Sequence, residues 1–296
     1  MRTVGQGAVP RLAAALPSPS GLAQARRRSS NRWGHRLLQT AAVAAPAEAE
    51  APTQLQPAKS VLYDTPISNN GARVRFIIYK KGLDGEFDIK SPKELGGLSS
   101  SEYRALNPQA KMPMLVLPDG TPLPESQVIE SYLLDKYSAV GPSLLPATPE
   151  LRAKAALAAR LHDLYIAPIQ GCMYKKMGAE QRAEQLHKIS FQLDVLEGLV
   201  EGPFLAGPEI SFGDGALFPT FVFFTHILPS KFGWPGVFEG RPKLEAWWAA
   251  VSADPEAQRV IKEMQEGLKG WESAKRWDNL GITQQVSDGS FNWSCS

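Results

Sequence analysis

The hydrophobic pattern of this chain changes period once, near residue 138, and no other feature constrains its fold as strongly. Before that point, strand-length and helix-length runs alternate. Residues 61–63 form a short apolar strand closed by the turn at Pro66. Residues 72–81 place Val74, Ile77 and Ile78 at helical spacing and stop at Gly82. Residues 86–89 alternate polar and apolar as a second strand does, and the polar stretch 90–106, broken by Gly96-Gly97, predicts a loop with a short helix. Residues 112–117 read as a third strand, and Asp119-Gly120 is a hairpin signal into a short fourth. Residues 126–137 then put Val128, Ile129, Tyr132 and Leu133 on one helical face. The resulting order is βαβ, short helix, ββα.

Beyond a Gly/Pro-containing linker at 138–149, only the helical period remains. Residues 151–176 predict one long helix, and residues 181–200 a second with Leu186, Phe191, Leu193 and Leu196 spaced for a buried stripe. Further helices are expected at 214–228, 242–252 and 255–268, each bounded by Gly or Pro. Pro219 either kinks its helix or marks the first turn. The apolar run 216–228 is too short for a bilayer and reads as a buried core helix. Residues 274–296 are polar with scattered Trp and show no period. The expected division is a leader at 1–59, an α/β unit at 60–138, a helical unit at 149–273 and a tail at 274–296.

Charge separates the leader from the rest. Seven of the 32 basic residues, all arginine, fall in residues 1–44 without a single acid, leaving 25 basic against 30 acidic residues, a formal −5. That mildly acidic body argues against a nucleic-acid partner. The Arg-, Ala- and Ser-rich start lacks a secretory apolar core and reads as an organellar transit peptide, with Ala41-Ala42-Val43-Ala44-Ala45 as a cleavage region. It resembles plastid transit peptides, so plastid (chloroplast) is the expected address and mitochondrion the rival; a basic tail that stays attached is the other alternative. The two cysteines, Cys172 and Cys295, form no CxxC and no disulfide framework. HExxH, GxSxG and P-loop motifs are missing, and the four histidines are not at metal-ligand spacing, so no metal is expected.

Four short elements point to chemistry. Ser68 stands between the first strand and first helix, six residues before Val74, with Asn69 and Asn70 beside it. Lys111-Met112-Pro113 follows Asn107-Pro108 at the head of the third strand. Glu125-Ser126 opens the helix after the hairpin, and Ser211-Phe212-Gly213-Asp214 has the Ser-x-x-Asp form of a capping box. Singly, each has an ordinary explanation: a helix cap, a proline at a strand start, a solvated lysine.

In this order and spacing they resemble the soluble glutathione S-transferase superfamily over residues 61–268. The resemblance implies a thioredoxin-like N-terminal domain (βαβ-ββα) followed by an all-α C-terminal domain. It also implies glutathione as co-substrate, with Ser68 placed as the activating residue of serine-type, theta- and zeta-like members. In those relatives a hydroxyl and a helix N-terminus lower a thiol pKa of about 8.5. The family proline, here Pro113, is cis and turns the Met112 backbone toward the cysteinyl part, with Lys111 near the glycyl carboxylate. Glu125 and Ser126 receive the γ-glutamyl end, and Ser211 to Asp214 is a folding device. A homodimer is implied too. Tyr165, Met173, Tyr174 and Met177 are candidate walls for a small hydrophobic electrophile, although such a stripe also fits plain core. Cysteine-type relatives carry Cys where Ser68 stands, so thiol transfer through a mixed disulfide is not expected. The alternative from another class is a non-catalytic binding or assembly protein of an organelle, for which residues 91–100 and the tail offer surface beyond the minimal pattern.

Overall fold

The computed structural model describes residues 59–294; the segment read as a transit peptide and Cys295 lie outside the described residues. The first half runs β1 (Ser60–Tyr63), α1 (Asn69–Lys80), β2 (Phe87–Lys90), a 3-10 turn (Pro92–Leu95), α2 (Ser101–Leu106), β3 (Met114–Val116), β4 (Pro122–Pro124) and α3 (Ser126–Lys136). The sheet order is β2-β1-β3-β4. β1 is parallel to β2 and antiparallel to β3, and β3 is antiparallel to β4. The expected third strand is shorter than its apolar run: it begins at Met114, after Pro113, which has no N–H to give the ladder; the Met112–Pro113 peptide is cis.

α1 is buried on every side from Gly71 to Tyr79, because α3 covers one flank and the second-half helices cover the other. That second half comprises α4 (Pro149–Leu161), α5 (Ala179–Leu199), α6 (Phe212–Phe232), α7 (Pro242–Ala253), α8 (Pro255–Ser273), α9 (Arg276–Asn279) and α10 (Ile282–Ser287). α6 is its axis. It is apolar all round and packs on α1, α4, α7 and α8. Gly213 and Gly215 let the neighbours in: a Cβ at the first would stand 2.6 Å from the Ala155 carbonyl oxygen, and at the second 2.8 Å from the Phe76 ring. Pro219 sits inside this helix rather than in its first turn.

Three expectations are corrected. Phe191, read into the buried stripe of α5, is exposed, because five residues past Leu186 it lies about 140° around the helix from that position; Leu186, Leu193 and Leu196 are buried. The single helix read at 151–176 is broken: α4 passes into one π-helical turn, His162–Ile166, and a 3-10 turn follows at Gln170–Met173. Pro168 explains the break, having no N–H for the ladder and a ring that collides with the carbonyl four residues back. The tail read as without period folds as α9 and α10 and packs on the body, with Trp277, Ile282 and Trp293 all buried. Trp277 donates its ring N–H to the Met173 carbonyl at 2.9 Å, and Trp234 donates to the Trp293 carbonyl at 2.8 Å. No helix of the described residues is long and apolar enough to cross a membrane.

Candidate active site

Strand register gathers the three expected segments. Met114 is paired with Tyr63 on one side and with Pro124 on the other. The residues just beyond that row therefore leave one edge of the sheet: Asp64 to Ser68 after β1, Met112-Pro113 before β3, and Glu125-Ser126 after β4. Thr65 Oγ1 lies 3.6 Å from Met112 Sδ, which joins the first two.

Ser68 is the N-cap of α1. Its Oγ accepts the Gly71 N–H at 3.1 Å, and it remains partly exposed. Asn69 is spoken for: its amide donates to Gln170 Oε1 at 2.9 Å and to Thr220 Oγ1 at 3.1 Å, across to the helical half. The Met112–Pro113 bond is cis, and Pro113 is buried while Lys111 is exposed. The Lys111 carbonyl takes Tyr103 Oη–H at 2.7 Å and the Asn107 amide at 2.8 Å, fixing the turn from below. Glu125 has φ 72°, left-handed for a residue with a side chain, and caps α3 with no side-chain bond. Ser126 begins α3, so its N–H and those following have no helical partner, a favourable place for an anion.

Beneath this edge lies a polar network that sequence reasoning missed. Arg73 is completely buried and donates to Ser126 Oγ at 3.3 Å and to Asp163 at 2.9 Å, with Glu130 3.7 Å away. Asp163 also takes His162 Nδ1 at 2.9 Å, and His162 Nε2 meets Thr220 Oγ1 at 2.8 Å. With the proton on Nδ1, the neutral ring donates to Asp163 and turns Nε2 toward the Thr220 hydroxyl, which itself donates to Gln170 Oε1 at 3.1 Å. Burial would raise the Asp163 carboxyl, but the His162 hydrogen bond and the Arg73 charge outweigh it and hold it at about 2. A second arginine, Arg75, donates to Asp64 Oδ2 at 3.0 Å and to the Pro66 carbonyl at 2.7 Å, and pairs with Glu263 of α8. The available signal was two arginines flanking Val74 in a helix otherwise apolar enough to be core.

The four expected electrophile-wall residues are not brought together. Tyr165 is 53% exposed on the outer face, whereas Met173 is completely buried. Tyr174 sits in an aromatic cluster, 5.2 Å from the Trp271 ring and 5.4 Å from Phe223; burial pushes its hydroxyl up to about 12. Met177 lines a surface cleft against α9 and α10. A separate cleft of about 220 Å³ does lie beside the Ser68 loop, between Pro66 and Ile67 on one side and Glu263, Glu266 and Gly267 of α8 on the other.

A four-stranded mixed sheet flanked by helices, followed by an all-helical half, defines the class: a thioredoxin-like domain joined to a helical domain. Known proteins give the family. Residues 62–143 match the model "Glutathione S-transferase, N-terminal domain", and residues 179–250 match "Glutathione S-transferase, C-terminal domain". The chain is 33% identical over 215 residues to glutathione S-transferase 3 of Zea mays, covering 68% of this chain and 92% of that protein. It is 28% identical over 203 residues to glutathione S-transferase F10 of Arabidopsis thaliana, covering 64% and 90%. Among solved structures, glutathione S-transferase III in apo form superposes with a TM-score of 0.59 at 28% identity, over 69% of this chain and 96% of that one. Rice GST1 in complex with glutathione superposes with a TM-score of 0.62 at 26% identity, over 79% and 99%. This chain belongs to the glutathione S-transferase family.

Proposed function

We propose that the chain is a serine-type glutathione transferase that activates the glutathione thiol for attack on a small hydrophobic electrophile. One observation carries the reading: three segments leave a single sheet edge across two strand spacings, about 10 Å. An extended tripeptide is also about 10 Å long. In this placement the Ser68 hydroxyl and the N-terminus of α1 face the sulfur, and the Met112 backbone, turned by Pro113, pairs with the cysteinyl unit. Lys111 faces the glycyl carboxylate. Glu125 takes the α-amino group, and Ser126 with the unpaired N–H groups of α3 takes the α-carboxylate.

The energetics are sufficient. Bringing a thiol pKa from about 8.5 to about 6.5 requires about 2.7 kcal/mol of preferential thiolate stabilisation. A charge-assisted hydrogen bond contributes about 1.5–3 kcal/mol and a helix terminus up to about 2. The thiolate then attacks an electrophile in the cleft between Ile67 and α8. Gly267 lets Ile67 pack directly onto α8 beside that cleft, since a Cβ at that position would stand 2.9 Å from the Ile67 side chain.

Retention on immobilised glutathione, followed by conjugation and peroxidase assays on haloarenes, hydroperoxides and maleylacetone-like compounds, tests the reading. Ser68→Ala should stay bound to the resin and lose roughly a hundredfold or more in kcat, the cost of one donor to a developing anion. Unchanged turnover in Ser68→Ala would sink it. A wild-type protein that is retained yet inert toward every electrophile would point to the binding or assembly role instead.

Two further assignments belong to this reading. The seven arginines and missing acids of residues 1–44 support import into a plastid, with the mitochondrion as rival. A fluorescent fusion of residues 1–59 that stays in the cytosol would refute it. The exposed side chains of Val128 on α3, Leu157 on α4, and Leu164 and Tyr165 on the turn after α4 support a homodimer through this face. Arg160 joins the two helices by donating to Gln127 Oε1 at 3.2 Å.

A further inference from the structure

The loop before α1 holds a buried acid that the reading above does not use. Asp64 is 2% exposed and follows β1 directly. Its side chain lies against the first turn of α1, where a Cβ on Gly71 would overlap the carboxylate. Gly71 is also the residue whose N–H donates to Ser68 Oγ at 3.1 Å, so Asp64 and Ser68 close on one glycine. Asp64 Oδ2 accepts from Arg75, whereas Oδ1 is buried and accepts no bond of normal geometry from the described residues. The groups around the carboxylate are Arg75 and Ser68 of the α1 segment, the Thr65 N–H, Tyr103 of α2, and Glu263 of α8 through Arg75. Burial raises the carboxyl to about 6, against the opposing pull of Arg75, the Thr65 N–H and the Ser68 hydroxyl. At neutral pH it is ionised, yet it accepts a proton far more readily than a surface carboxylate.

Building on the assignment of Ser68 to the sulfur, we propose that Asp64 is the positioning residue of the Ser68 hydroxyl and, through it, the acceptor of the glutathione thiol proton. Ser68 Oγ, with the Gly71 N–H on one lone pair, directs its own hydrogen toward the Asp64 carboxylate and presents its other lone pair to the thiol. The S–H bond breaks and leaves its electron pair on sulfur while a new Oγ–H bond forms. The original Ser68 proton passes to Asp64, giving a neutral carboxylic acid, and the new Ser68 O–H donates to the thiolate. One negative charge has moved from Asp64 to sulfur, and no other reactant is consumed. After the conjugate leaves, the proton returns through Ser68 to water. Gly71 permits this arrangement by having no side chain where the carboxylate lies.

Calorimetry of glutathione binding to the intact protein tests this in buffers of different ionisation enthalpy, at about pH 7.5, where the free thiol is mostly protonated. The ultraviolet band of bound thiolate is read in parallel. The expected result is a thiolate band with almost no proton released to buffer; release of about one proton per thiolate formed would overturn the proposal. Asp64→Asn should lower kcat/KM roughly a hundredfold and move the ascending limb of its pH profile toward the ordinary thiol range. A wild-type profile in that variant would also overturn it, and if the variant does not fold, the wild-type proton count decides. Ser68→Ala separates the two levels: a persisting thiolate band there removes the Ser68 assignment itself, whereas full proton release by wild type with Ser68→Ala inactive removes only the role of Asp64.

Discussion

Glu130 and His162 reach the same buried cluster around Arg73 and titrate in opposite senses. Burial raises the Glu130 carboxyl to about 7, with Arg73 pulling it down and Asp163 pushing it up. In the unfolded chain it ionises near 4.5. The folded state therefore holds the extra proton between those values, and Glu130 favours folding below the lower value and loses that contribution as pH rises through about 7. At 1.36 kcal/mol per unit, the change across the interval is about 3 kcal/mol. Burial lowers the His162 pKa, opposed by the Asp163 hydrogen bond, so its contribution is present above the ordinary value of 6.5 and lost as pH falls. Glu130→Gln removes only the first effect. Denaturant titrations at intervals from about pH 5 to pH 8 should show the stability of wild type relative to the variant falling by about 3 kcal/mol as pH rises. Parallel curves would mean that Glu130 is ionised throughout.

At the scale of elements, the Ser211/Asp214 capping box shows how much more a short motif can hold than its sequence states. Asp214 Oδ2 accepts the Ser211 N–H at 2.8 Å, as a box requires. Its Oδ1 also accepts the Leu205 N–H at 2.9 Å and Trp247 Nε1–H at 2.8 Å, so one carboxylate pins a loop, α6 and α7. Ser211→Ala should cost about 1 kcal/mol, the usual worth of a cap. Asp214 Oδ2 also takes the Ser211 hydroxyl at 2.7 Å, so Asp214→Ala strands four buried donors and should cost about 3 kcal/mol or more. Equal losses in chemical denaturation would show that only the cap matters. The contrast follows what the sequence could convey. Local patterns marked α1, α3, α6 and the order of strands and helices along the chain, because helix period, Gly stops and the Asp119-Gly120 turn act within a few residues. They also located Ser68, Met112-Pro113 and Glu125-Ser126, since each sits at the end of an element. Leu205 and Trp247 on Asp214, or Asp163 on Arg73, are pairings across the fold that no spacing announces. The break after α4 was readable from Pro168, yet the apolar period ran through it. α9 and α10 span too few residues for a period, and their Trp anchors look like loop residues until they are buried.

For the whole molecule, the proposed homodimer requires a face that could meet a second copy. Of the large apolar side chains left outside, Ile89, Val140, Leu145 and Phe191 stand on other segments, whereas Val128, Leu157, Leu164 and Tyr165 belong to α3 and to α4 with its following turn. An isolated exposed Leu needs no explanation, but four large apolar groups on adjoining segments favour this face for the proposed homodimer. The Glu125/Ser126 corner starts α3, and the buried Arg73 cluster lies just inside its far side, so packing a partner here would stiffen the γ-glutamyl end of the groove. Leu157→Lys should leave the monomer fold intact, because that side chain already meets water, while placing a charge where apolar burial is needed. Sedimentation equilibrium should give a dimer for wild type and a monomer for Leu157→Lys. The half-saturating glutathione concentration should rise several-fold in the variant, with little change in turnover. A wild-type monomer would remove this interface. A variant that dissociates without any change in glutathione affinity would keep the interface and remove its link to the groove.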